Sequence, residues 1–377
     1  MNTSFAPEFH TDHNVYILGA GYSAEARLPV MSNFLSVMQK VRVAGSLAKD
    51  EKEAIDQLLQ FRLELAGASN RINLDLDNIE TLFSLTASQI MEGGHILDKT
   101  DRLRSKIQLA IGATLNYCQN EYYELPISSR EDRTFGPDGV ALDFFDFSAG
   151  IMSGTLGALK GNQNQENTII SFNYDTLLED SFSKNQIYFS YGYGMPRSKS
   201  QDLLLVPDVP GQRNCVTLLK LHGSLNWSET PIKGADGLAV NIYKDYKELR
   251  TKSPDRIPTL MPPWWKKDPT GFTTSSWANA AKKLQTATRI IIIGYSLPVT
   301  DQYVKYLLGA GLSKNISLSS VWVVNNNAHA MKSVKSTFSP SFANIIFPRP
   351  MRAREFFYGS ETSGNYLEAI NRKPEPN

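Results

Sequence analysis

Apolar residues gather in five short runs, and each run stops at a cluster of small or polar residues. Asn14 to Leu18 breaks into Gly19-Ala20-Gly21-Tyr22-Ser23, and Thr168 to Phe172 ends at Asn173-Tyr174-Asp175. Val216 to Leu221 ends at His222-Gly223-Ser224, Arg289 to Ile293 at Gly294-Tyr295-Ser296, and Val321 to Val324 at Asn325-Asn326-Asn327. Runs this short and largely apolar, rich in β-branched residues, predict strands buried on both faces, as in a parallel sheet covered by helices. The carboxyl ends of such strands share one edge, where ligands bind. The five clusters are therefore expected to meet in space.

Between the runs the period changes. Leu28, Met31, Leu35 and Met38 recur at helical spacing and predict a helix over Leu28 to Val43. Residues from about Ser46 to Glu124 are rich in Leu, Ala, Glu, Asp and Lys, which predicts a helical insertion. Within it, Asp77 and Glu80 read as a capping box, and Lys99 to Ala113 as a helix whose basic first half faces solvent. A polar loop is expected at Gly161 to Asn167. The Pro, Gly and Lys-rich stretch from Ser228 to Ser276, with Pro262-Pro263-Trp264-Trp265, reads either as a lid beside the site or as a surface insertion. Residues 351–377 turn polar and are expected to fray or to dock on a partner. The predicted organisation is α/β: a Rossmann-like parallel sheet with helices on both faces over 1–45 and 166–350, a helical insertion over 46–165, and a tail over 351–377.

Composition narrows the function classes. The chain has 377 residues, enough for a sizeable core, and 39 basic against 38 acidic residues leave no net field to draw it to nucleic acid or anionic lipid. No apolar stretch approaches the roughly 18 residues of a spanning helix, and Met1 to His13 has no apolar core of a secretory signal. A cytoplasmic location and no membrane partner are expected. Two cysteines, Cys118 and Cys215, cannot form a four-thiolate zinc site, so no metal is expected.

Of five histidines, His10 and His13 fall in the polar terminus, His95 follows Gly93-Gly94, and His329 sits in a late polar stretch. Only His222 caps an apolar run with glycine beside it. Asn173 and Asp175 alternate to one side and would face the same edge. An amide, a carboxylate and an imidazole together can hold ribose hydroxyls and steer a water or hydroxyl nucleophile. The glycine turn suits a phosphate, since small residues let backbone N–H groups come close.

The five blocks, Gly19 to Ser23, Ser171 to Asp175, Leu221 to Ser224, Gly294 to Val299, and Asn325, occur in the order seen in sirtuins, and the chain resembles that family. It looks like the sirtuin-like branch found in bacterial antiphage defence, which includes Thoeris-type NAD hydrolases and sirtuin-like proteins paired with Argonautes or DNA-translocase ATPases. The resemblance implies that Gly19, Ala20, Gly21 and Ser23 cradle the NAD phosphates. It implies that Asn173 and Asp175 hold the nicotinamide ribose and its water, and that His222 is the catalytic base. Gly294 and Ser296 would line the phosphate and ribose path, and Asn325 would meet the adenosine ribose.

Departures from the family shape the expected reaction. Protein deacylases of the family carry a four-cysteine zinc module, and they place Asp-Phe-Arg where Val30-Met31-Ser32 follows Pro29 here. Phe172 stands where they have glutamine. Deacylation is thus the least expected activity. The expected function is NAD hydrolysis to nicotinamide and ADP-ribose during antiphage defence, by a homo-oligomer that a defence partner such as a DNA-translocase ATPase or Argonaute could accompany. An ADP-ribosyltransferase and a non-catalytic NAD or ADP-ribose sensor remain open as alternatives.

Overall fold

The computed structural model describes residues 12–69, 75–87, 97–126, 134–135, 141–156, 165–192, 203–206, 215–231, 238–252, 255–261, 272–298 and 301–359. Seven strands form one sheet: β1 (Asp12–Leu18), β2 (Gln165–Ser171), β3 (Phe189–Ser190), β4 (Val216–Lys220), β5 (Arg289–Ile293), β6 (Ser320–Val324) and β7 (Ile346–Arg349). Their order is β7-β6-β5-β1-β2-β4-β3, and every neighbouring pair is parallel. The five apolar runs of the sequence supply β1, β2, β4, β5 and β6. The short β3 and β7 lie at the two edges, too brief to carry a pattern.

Two-residue alternation divides the core in two. Tyr16, Leu18, Ile169, Ile291, Ile293 and Trp322 face one side, where they pack with Met38 of α2 (Phe34–Ala44) and Ile55 of α3 (Lys49–Ser69). The same cluster takes in α4 (Ile79–Ala87), α5 (Leu97–Glu124) and α6 (Phe144–Met152). Val15, Ile17, Ile170, Ile290, Ile292 and Val323 face the other side, against Leu284 of α9 (Phe272–Thr286), Leu308 of α10 (Gln302–Leu312) and Val334 of α11 (Ala328–Lys335). Both faces are buried, which is why these strands read as apolar throughout. The architecture is a Rossmann-like α/β fold.

Several local expectations are corrected. The helix expected over Leu28 to Val43 begins only at Phe34. Before it, the glycine turn runs into a single helical turn, α1 (Ala20–Ser23), then 3-10 turns broken by Arg27 in the left-handed region at φ 60° and by Pro29. Helix α4 starts at Ile79, and the Asp77 carboxylate ahead of it accepts from Arg62 Nε at 3.1 Å. Asn167, expected in a loop, lies in β2 and accepts from Asn14 Nδ2 at 3.0 Å. Residues 351–359 do not fray: Met351, Phe356 and Phe357 are buried, the last two in α12 (Ala353–Tyr358), which packs on Phe144. The Pro262 to Lys266 segment and residues 360–377 lie outside the described residues, as do His10 and His95.

His13 is not in a polar terminus. It lies in β1, buried, with Nδ1 2.9 Å from Thr286 Oγ1 and Nε2 3.0 Å from Thr168 Oγ1. Burial pushes its pKa from 6.5 down to about 4. The unfolded chain thus takes the proton first, so the stability tied to neutral His13 is complete above about pH 6.5 and is lost as pH falls toward 4. Asp180 is pushed up to about 7 by burial and by Glu179 beside it, which acts in the opposite sense over an overlapping range. The comparison that isolates His13 is therefore wild type against His13→Gln. The wild type should lose about 2–3 kcal/mol relative to the variant between pH 7 and pH 4.5 in urea unfolding. Parallel pH dependences would refute the assignment.

Candidate functional site

The chain starts at the middle of the sheet, builds outward through β2 and β4, then crosses to β5, β6 and β7. The order reverses between β1 and β5, and a crevice opens outside the carboxyl ends of strands at such a reversal. A cavity of about 440 Å³ lies there, within the roughly 300–1,000 Å³ range of small-molecule sites. Gly19, Ala20, Gly21 and Ser23 line it from the end of β1, and Asn173 and Asp175 from the end of β2. His222 reaches it from the end of β4, Gly294 and Ser296 from β5, and Asn325 from β6. All ten residues singled out in the sequence meet at one cavity.

The glycines have a structural reason of their own. The Gly19 amide donates to the Ile293 carbonyl at 3.0 Å, and the Gly21 amide to the Gly294 carbonyl at 2.8 Å. The ends of β1 and β5 thus cross almost in contact. A Cβ on Gly21 would sit 2.7 Å from the Gly294 Cα, and one on Gly294 would sit 2.3 Å from the Tyr22 amide nitrogen. Gly294 also has φ +63°. Gly294→Ala should lower stability by about 2 kcal/mol or more, seen as a lower urea midpoint. Gly309 in α10 has nothing within 4 Å of its Cβ position, so Gly309→Ala is the sterically free control, which helix propensity should leave at or above the wild-type midpoint. A Gly294→Ala midpoint equal to the control's would show that the crossing can yield.

A chain of short hydrogen bonds runs along one wall. Asn173 Nδ2 donates to the Gly19 carbonyl at 2.9 Å and to Ser23 Oγ at 2.8 Å, and Ser23 Oγ donates to Asp175 Oδ2 at 2.6 Å. The three side chains are buried, so they hold one another at fixed spacing. Asp175 Oδ1 also accepts from the Leu177 amide, tying it to the start of α7 (Leu177–Lys184).

His222 is held among rings. Phe172 stands edge-on to it at 5.0 Å between centroids, and Tyr174 and Trp277 lie at 6.2 and 6.5 Å. The backbone around it is pinned from outside the sheet. Gly223–Ser224 pairs antiparallel with Thr259–Leu260, and the Met261 amide donates to the His222 carbonyl at 2.7 Å. The described part of the Ser228 to Ser276 stretch therefore braces the histidine. It also forms a hairpin, Trp227–Pro231 with Leu238–Ile242, and α8 (Tyr246–Lys252).

Three features escaped the sequence reading. Asp301 lines the cavity with its Oδ2 3.9 Å from His222 Nε2, and it sits beyond the fourth strand-end cluster, where no strand marks it. Helices α4 and α5 contribute Ile79, Phe83, Ile111 and Leu115 to an apolar wall. Helix α5 also grips both strand ends: Gln108 Nε2 donates to the Leu260 carbonyl at 2.6 Å, and Gln119 Nε2 to Thr176 Oγ1 at 2.8 Å. Helical periodicity alone gives no sign of what a helix packs upon.

Residues 167–338 match a family model described as a SIR2-like domain. This segment is similar to a SIR2-like domain. The matched segment contains Asn173, Asp175, His222, Gly294, Ser296, Asp301 and Asn325, and begins after the glycine turn. Among solved structures the chain is similar to a Sir2 enzyme studied for its mechanism and regulation, with 12% identity, TM-score 0.37, and 91% of this chain and 89% of that chain covered. It is similar also to Sir2 bound to a propionylated peptide, with 11% identity, TM-score 0.35 and coverage of 91% and 89%. A third is Sir2 with a p53 peptide and NAD+, with 12% identity, TM-score 0.36 and coverage of 91% and 89%. No curated protein matches the chain. Among the described residues, no group of three or more His, Cys, Asp or Glu is placed to hold a metal ion, and no helix is long and apolar enough to cross a membrane.

Proposed function

We propose that the protein is an NAD+ glycohydrolase that cleaves NAD to nicotinamide and ADP-ribose. The observation that carries this reading is the meeting of His222, the Asn173-Ser23-Asp175 chain and the glycine crossing in one cavity at the sheet's switch point. The leaving nicotinamide is a pyridinium, so its departure neutralises a charge and needs no acid. What the site must do is hold the ribose, stabilise an oxocarbenium-like sugar and deliver water, tasks that suit an oriented amide, a carboxylate and one base. Asn173 and Asp175 hold the ribose and water, and His222 acts as base. Gly19, Ala20, Gly21 and Ser23 carry the phosphates, with Gly294, Ser296 and Asn325 along the nucleotide path. Residues 1–45 and 166–350 serve as the NAD-binding domain and 46–165 as an insertion that closes its apolar wall.

The role in the cell follows from the same reaction: depletion of NAD during phage infection, by a cytoplasmic oligomer whose contacts hold activity in check. Chromatography of NAD incubated with the full chain, alone and with candidate partners, is the test. Nicotinamide and ADP-ribose in equal amounts are expected. Label from NAD fixed to a macromolecule would replace hydrolysis by transfer, and binding without nicotinamide release in every assembly state would replace it by a sensor.

A further inference from the structure

His222 has a carboxylate neighbour that comes from a different part of the chain. Asp301 lies at the start of α10, fully enclosed at 1% exposure, with Oδ2 3.9 Å from His222 Nε2. The same Oδ2 accepts from the Tyr295 hydroxyl at 2.5 Å. Tyr295 in turn stacks on Phe172 at 4.6 Å, with 13° between planes, and Phe172 is the ring that stands edge-on to His222. The separation of carboxylate and imidazole is thus set by packing on both sides.

The distance is too long for a hydrogen bond and suits an ion pair that forms when the ring is protonated. A buried carboxylate is costly without partners, and Tyr295 supplies one hydrogen bond. The other groups around His222 are otherwise engaged. The Tyr174 hydroxyl donates to the Met261 carbonyl at 2.6 Å, and Asp175 accepts from Ser23. Trp277 Nε1 donates to the Leu221 carbonyl at 3.1 Å, and Lys220, two residues before His222, pairs with Glu179 at 3.0 Å.

We propose that Asp301 is a positioning residue for His222: it orients the imidazole and stabilises the imidazolium formed when the ring takes a proton. The catalytic consequence rests on the NAD-cleavage reading. There, the water O–H bond breaks and its proton goes to the imidazole, while the oxygen bonds to the anomeric carbon. The C–N bond to nicotinamide breaks, its electron pair staying on the pyridine nitrogen, and nicotinamide leaves neutral. The imidazolium afterwards returns its proton to solvent.

The pairing is measurable without turnover. In full-length protein with 13C-labelled histidine, the ring signal missing from His222→Ala identifies His222, and its midpoint is read by NMR titration in the absence of NAD. Asp301→Asn and Asp301→Ser should each lower that midpoint by about one to two pH units, and Asp301→Glu should keep it near wild type. With NAD, Asp301→Asn should lower kcat about 10- to 100-fold with KM little changed, and the acid limb of kcat/KM should move down with the NMR midpoint. A folded Asp301→Asn or Asp301→Ser with an unmoved His222 midpoint overturns the pairing. A shifted midpoint, with a wild type that releases no nicotinamide in any assembly state, sustains the pairing and removes the NAD-cleavage reading instead.

Discussion

His222→Ala should release nicotinamide from NAD at least 10²- to 10⁴-fold more slowly than the wild type, the range a positioned general base contributes. On the proposed reading the ring acts on the reacting bond and carries little of the substrate binding, so the effect should fall on kcat. The variant should fold. His222 is bounded by Phe172, Tyr174 and Trp277, and its backbone is held by the Met261 amide, none of which the truncation removes. Asn173→Ala should act differently. Its Nδ2 links the Gly19 carbonyl to Ser23 Oγ, and Ser23 fixes Asp175, so one truncation loosens three elements of the wall. Both kcat and KM should suffer there. Measured turnover by His222→Ala equal to wild type, in protein of native circular dichroism, would strike His222 from the mechanism.

The site was legible in the sequence to the extent that it is made of strand ends. A strand buried on both faces must be apolar along its length, so the first polar residues after it stand out, and the parallel topology brings them to one edge. That is how residues as distant as Gly19 and Asn325 group together by pattern alone. Asp301 was not legible because it is placed by the fold of a loop and not by a strand. His13 was misplaced for a related reason: a histidine at the start of a strand looks like part of a polar terminus until Thr168 and Thr286 are seen to satisfy both ring nitrogens. The helix after the glycine turn starts at Phe34, six residues later than the periodicity indicates. Periodicity cannot register the left-handed Arg27 or the extended Val30 that separate α1 from α2. The deepest omission is Lys220, which the pattern counts as one polar residue in an apolar strand.

Lys220 and Glu179 are almost wholly buried, at 2% and 1% exposure, with Nζ and Oε1 3.0 Å apart. Glu179 also accepts from the Tyr191 hydroxyl at 3.0 Å, and Lys220 Nζ donates to the Asp175 carbonyl and, at 3.4 Å, to that of Tyr174. The pair therefore serves two purposes at once: it neutralises charge beneath the sheet's edge and holds the backbone of the segment that carries Asn173 and Asp175. Lys220→Met leaves the Glu179 carboxylate buried with only the tyrosine, and removing one partner of such a pair costs about 3–5 kcal/mol. Glu179→Leu should cost about as much, because the ammonium is then stranded. The double variant should be less destabilised than the sum of the two, since neither charge remains, and the thermodynamic cycle in urea reads the coupling directly. Activity should not recover with stability. Lys220→Met/Glu179→Leu restores an apolar interior but not the donor to the Asp175 carbonyl, so its kcat should stay low at temperatures where the protein is folded. A double variant with both native stability and native turnover would mean that the Asp175 segment holds its shape without Lys220. Additive losses would mean that the two charges do not interact.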